Sequence, residues 1–110
     1  MRMRLLSVLA VAAALMAGSA PAAVDTGSLT AFVKSCASNS KGCHDIVVSA
    51  VITARNANYG CIPKDMSDSD ADHKVFDWLR AADGNPKYKD QPLSDLLWTG
   101  IDEVWPCPKP

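Results

Sequence analysis

The sequence predicts an all-α fold, a small four-helix domain stapled by disulfides, and three features carry that expectation. Four segments repeat apolar residues at intervals of three and four, the spacing that lines one face of a helix. Those segments start at hydroxyl, acidic or proline residues and stop at glycine, asparagine or proline. Four cysteines accompany a leader of the exported type, so the chain is headed for an oxidising compartment where they pair.

The leader is Met1-Arg-Met-Arg followed by a largely apolar run from Leu5 to Ala17, with small residues at Ala20 and Ala22. A positive start, an apolar stretch too short to span a bilayer and small residues before the cut describe a signal peptide over residues 1–22. Cleavage is placed after Ala22, leaving one domain over residues 23–110 and no membrane attachment after processing.

Within that domain, Ser28 caps a brief helix in which Leu29, Phe32, Val33 and Cys36 share a face. Ala37 to Gly42 reads as a polar turn of small residues. From Cys43, the stretch through Ile46, Val47, Val48, Val51 and Ile52 is apolar on nearly every side. Its length, continuing through Ala54 and Ala57 to a stop at Asn58 and Gly60, favours a buried helix over a strand despite the β-branched residues.

Ser67-Asp-Ser-Asp opens a third helix, from about Ser69 to Asp83, with carboxylates collected at the positive end of the helix dipole. Ala71, Val75, Trp78, Leu79 and Ala82 form its stripe, and Gly84-Asn-Pro ends it. A polar loop from Asp83 to Gln91 leads to Pro92 at the first position of a last helix, where its missing N–H costs nothing. Leu93, Leu96, Leu97, Ile101 and Val104 face one way along that helix, and Pro106 stops it.

Charge excludes one class of partner. Loss of the leader removes Arg2 and Arg4 and leaves nine basic residues against twelve acids, and the lysines are scattered among the acids rather than gathered in a stripe. Nucleic acid is therefore not expected as a partner.

The cysteines, Cys36, Cys43, Cys61 and Cys107, decide how the chemistry is read. Six, seventeen and forty-five residues intervene between them, which does not fit the short paired spacings of a zinc site, and no pair is separated by the two residues of a redox motif. Cys43-His44-Asp45 places three catalytic types in a row, but neighbouring helical residues point away from one another. Three disulfide pairings are open; the favoured one joins Cys36 to Cys43 across the first elbow and Cys61 to Cys107 across the end of the bundle. A domain of this size buries a modest core, so such bridges would supply much of its stability.

The acids Asp65, Asp68, Asp70 and Asp72 read as helix capping rather than a calcium loop, since the glycine turn and terminal glutamate are missing. His44 and His73 read as separate solvated side chains, and Trp78, Trp98 and Trp105 as packing residues, with Trp98 the most exposed. The expectation is a protein without metal, cofactor or catalytic residues, one that binds rather than reacts.

The pattern resembles the Rap/Tai family of type VI secretion amidase immunity proteins. The resemblance lies in Phe32-Val-Lys-Ser-Cys36, Cys43-His-Asp-Ile-Val-Val-Ser49, Cys61-Ile-Pro63, Val75-Phe-Asp-Trp-Leu79 and Val104-Trp-Pro-Cys107, and it spans nearly the whole of residues 23–110. Where the family usually carries glycines after the second cysteine, this chain has Asp45 and Ser49.

The resemblance implies a periplasmic helical protein, often a homodimer, that occludes the catalytic cleft of a cognate cell-wall amidase toxin. The candidate binding surface is the polar loop, through Asp83, Asn85, Lys87, Tyr88, Lys89 and Asp90, with Tyr88 as an anchor. The competing expectation is a small periplasmic acid-stress chaperone that exposes apolar surface when carboxylates protonate.

Overall fold

The computed structural model describes residues 23–109, and the segment read as a signal peptide lies outside the described residues. Four α-helices follow in order: α1 (Leu29–Ser35), α2 (Ser40–Asn56), α3 (Asp68–Ala82) and α4 (Leu93–Val104), with a 3₁₀ turn at Pro86–Tyr88. The described residues form no strand, so the expected all-α class holds, with two disulfides as its staples.

Each helix begins where a side chain or a rigid φ satisfies the first turn. Ser28 accepts from the Ala31 N–H at 3.1 Å, Asn39 from Gly42 at 2.9 Å, and Ser67 from Asp70 at 3.0 Å. Asn39 explains one difference from the sequence reading: α2 starts at Ser40, not at Cys43. The residues taken for a turn supply a polar first turn at the surface, so apolar periodicity emerges only where the helix reaches the core. Pro92 stands at the N-cap of α4 rather than at its first helical position, a shift of one residue with the same cause, a fixed φ of −62° and no N–H to satisfy.

The end of α2 follows the expected chemistry. Asn58 adopts a φ of +54°, Tyr59 N–H reaches back to Ala54 O at 2.8 Å, and Asn58 N–H reaches Arg55 O at 3.2 Å. These paired bonds are the left-handed stop that asparagine tolerates and most side chains do not.

The core gathers one stripe from each helix. Leu29 and Phe32 come from α1, Cys43, Val47, Val51 and Ala54 from α2, Ala71, Val75, Phe76 and Leu79 from α3, and Leu93, Leu96, Leu97 and Ile101 from α4. α2 and α3 run in opposite directions against each other, so Arg55 meets Asp68 while His44 meets Asp72 and Phe76. Asp45 and Ser49, the positions that depart from the family pattern, are exposed, so helix packing makes no use of close backbone approach there.

Two glycines allow contacts that any side chain would block. A Cβ at Gly42 would lie 2.8 Å from Val24 Cγ2, so its absence lets the segment before α1 dock against the first turn of α2. A Cβ at Gly100 would lie 2.8 Å from Trp78 Cε3, so α4 presents bare backbone to the indole of α3.

The disulfides are Cys36–Cys43, with Cα atoms 5.6 Å apart, and Cys61–Cys107, 5.1 Å apart, which is the favoured pairing. The first is buried in the core between α1 and α2; the second lies at the surface, where Cys61 N–H also donates to Trp105 O at 3.1 Å. No described cysteine is free, which removes thiolate ligands and thiol nucleophiles from consideration. Persistent disulfides place the folded chain in a non-reducing compartment. Among the described residues no helix is long and apolar enough to cross a membrane.

Candidate functional site

The loop singled out from the sequence is braced at both ends and exposed along most of its side chains. Gly84 turns the chain with a φ of +84°, Asn85 caps the 3₁₀ turn by accepting from Lys87 N–H at 3.0 Å, and Asn85 N–H returns to Ala82 O at 3.0 Å. At its near end the Thr30 hydroxyl donates to Asp83 Oδ1 at 2.7 Å, tying the loop to α1.

Tyr88 braces it from beneath. An anchor projecting into a partner was expected here, but the side chain is buried, its ring set edge-on to Trp78 with centroids 5.3 Å apart. Its hydroxyl donates to Glu103 Oε1 at 3.2 Å, and the Trp78 indole N–H donates to Glu103 Oε2 at 3.0 Å. One carboxylate on α4 thus fixes both rings. The ring is apolar enough to fill the gap between α3 and α4, and burying it there stabilises more than leaving it in water. The exposed face of the loop consists of Asn85, Pro86, Lys87, Lys89 and Asp90, with Asp83 half-buried. A groove of about 370 Å³ runs beside it, walled by Ser28, Leu29 and Thr30 on one side and Gly84, Pro86 and Lys89 on the other.

A second constellation was not found in the sequence. His44 and His73, expected to be separate and solvated, are in contact: their rings lie edge-to-face, 5.1 Å between centroids. His44 is half-buried against Phe76 at 4.8 Å, and its Nδ1 lies 2.7 Å from Asp72 Oδ2. Asp72 itself, expected to cap a helix, is almost wholly buried at 2% exposure. Its other oxygen, Oδ1, is buried without a hydrogen-bond partner.

Burial raises the Asp72 pKa above its ordinary value, because a carboxylate away from water disfavours its charged form; the hydrogen bond and charge of His44 oppose that effect without cancelling it. Donor atoms of His44, Asp72 and His73 all lie within 4.8 Å of one another. Twenty-eight residues separate His44 from Asp72, so only the pairing of α2 with α3 brings them together. The available signal was the position of Asp72 three, four and seven residues before Val75, Phe76 and Leu79, which puts it on the face they bury.

Arg55 closes the far end of the same helix pair. Its guanidinium donates to Pro63 O at 3.2 Å and to Met66 O, and its Nε faces Asp68 Oδ1 at 3.0 Å. These contacts hold the segment between α2 and α3, beside a cleft of about 660 Å³ that reaches the surface disulfide through Tyr59, Cys61 and Cys107. No family model matches the chain, and neither a curated protein nor a solved structure matches it significantly.

Proposed function

We propose that this chain is an exported immunity protein that binds a peptidoglycan amidase effector of type VI secretion and blocks its catalytic cleft with the Asp83–Gln91 loop. The observation that carries the reading is the bracing of that loop. Thr30, Tyr88 and Glu103 fix it from behind while Asn85, Lys87, Lys89 and Asp90 stay exposed. An inhibitor gains affinity when its contact surface is ordered before binding, because little conformational entropy remains to be lost. The two disulfides add stiffness suited to the periplasm, and the resemblance of the cysteine segments to the Rap/Tai family supplies the partner class.

In this reading Tyr88 supports the loop and the two lysines meet the partner. The test is capture of a cell-wall amidase from periplasmic extract by the oxidised protein, followed by inhibition assays with the Lys87→Glu/Lys89→Glu variant. Both lysines are exposed, so the variant keeps its fold, and the expectation is a loss of inhibition of roughly tenfold or more. Undiminished inhibition would remove the loop from the interface; failure to retain any amidase would remove the immunity reading.

The acid-chaperone alternative needs carboxylates whose protonation opens the bundle. Asp72, the buried acid, has the opposite sign: with its pKa raised on folding, protonation relieves a penalty.

A further inference from the structure

We propose that His44, Asp72 and His73 form a binding site for a zinc-class divalent transition-metal ion that clips α2 to α3. One donor atom from each residue lies within 4.8 Å of the others. Two imidazole nitrogens and one carboxylate oxygen suit Zn²⁺, Cu²⁺ or Ni²⁺, whereas Mg²⁺ and Ca²⁺ prefer oxygen alone.

The second observation is Asp72. Its side chain is 3% exposed, one oxygen meets His44 at 2.7 Å, and the other has no hydrogen-bond partner. An isolated buried carboxylate is costly, and buried charges are ordinarily paired or bound to metal. His44 compensates Asp72 only in part, and a cation between the three donors completes that compensation. The neighbouring Asp45 adds to the negative field felt by Asp72, although Lys41, 2.8 Å from Asp45 Oδ2, offsets part of it.

Access and adjustment are both in place. His73 is exposed and His44 partly so, which opens the site to solvent on one side, while Phe76 closes it on the other. Tetrahedral zinc with bonds near 2.0–2.1 Å sets donors roughly 3.3 Å apart, and side-chain rotation brings donors already within 4.8 Å of one another to that spacing. Binding uses the lone pairs of the three donors, so it competes with protons for them. Three protein ligands leave one tetrahedral position for water. The site shares no residue with the Asp83–Gln91 loop and does not rest on the immunity reading.

The experiment uses tag-free, oxidised, chelator-treated protein, titrated by calorimetry with Zn²⁺ and with Mg²⁺ as the control, alongside thermal denaturation in each ion. The expected result is one Zn²⁺ per chain with a Kd of about 10 µM or tighter and a rise in Tm that Mg²⁺ does not produce. His73→Gln removes one ligand from an exposed position and leaves the His44–Asp72 pair intact. Losing even a partner of a ligand costs 10–100-fold in metal affinity, so this variant should bind at least about tenfold more weakly with an unchanged metal-free Tm. Absence of saturable Zn²⁺ binding, or equal binding by wild type and His73→Gln, would overturn the proposal and leave an ordinary histidine–aspartate pair.

Discussion

Replacing Cys61 and Cys107 together by serine tests how much of this domain's stability resides in its unfolded state. The bridge has a sequence separation of 46, and in the chain-entropy relation a loop of that length contributes about 4 kcal/mol, against about 2.5 kcal/mol for the separation of 7 at Cys36–Cys43. Both Cys61 and Cys107 are exposed, so the substitution opens no cavity. The Cys61 N–H to Trp105 O bond needs neither sulfur. The loss measured therefore isolates the constraint on the unfolded chain, unlike removal of the buried Cys36–Cys43 bridge, which also disturbs packing.

Urea denaturation monitored by helical circular dichroism is the assay. The expected loss is about 3–4 kcal/mol, a large share of the 5–15 kcal/mol typical of a domain. At roughly 4–8 °C per kcal/mol for a chain of this size, Tm falls by about 15–30 °C. The m-value should rise, because the freed unfolded chain exposes more surface. A loss below about 1 kcal/mol with an unchanged m-value would refute the reasoning, since the bridge would then constrain nothing that the unfolded chain does not already avoid.

Three further outcomes follow from particular contacts. Gly100→Ala gains about 1 kcal/mol of helix propensity but drives a Cβ to 2.8 Å from Trp78, whose ring is held by Tyr88 and Glu103 and cannot retreat; overpacking costs about 1–3 kcal/mol, so urea melts should show net destabilisation, and a stabilised variant would contradict the packing. Tyr88→Phe loses the bond to Glu103 and about 0.5–1.5 kcal/mol, whereas Tyr88→Ala empties the space beneath the loop and costs roughly 3 kcal/mol; equal melts for both would place Tyr88 outside the core. For Asp72, the raised folded pKa means that its favourable contribution is fully present below the unfolded value near 3.8 and is lost as pH rises through the folded value. Stability of wild type relative to Asp72→Asn should therefore improve as pH falls across that window, and a gap that moves the other way would show that pairing with His44 outweighs burial.

The helices were legible because their signals are local. Hydroxyl and amide caps, the Asn58 stop and the stripes of α3 and α4 each depend on residues within a turn or two of one another, and a cap satisfies the same N–H groups whatever packs beyond it. The start of α2 was missed by three residues because a surface first turn carries no apolar residue to mark it. The disulfide pairing was favoured because it ties the first elbow and fastens the end of the last helix, and the fold brings those same sulfurs together.

Burial of single side chains is another matter. Tyr88, flanked by Lys87 and Lys89, looked like an exposed tip, yet its ring enters the space between α3 and α4 because Gly84 and Pro86 turn the chain back over the bundle. Asp72 looked like a capping acid among four, and His44 and His73 like unrelated surface groups. Their meeting depends on how far α2 slides along α3, a quantity set by the summed packing of Val47, Val51, Val75 and Leu79 and by the Arg55–Asp68 pair, and so by residues spread over both helices. The chain by itself determined that four helices form, where they begin and end to within a turn, and that sulfur cross-links hold them. Tertiary structure alone decided which polar groups face one another, because contact between elements is a sum over many distant side chains that no short window contains.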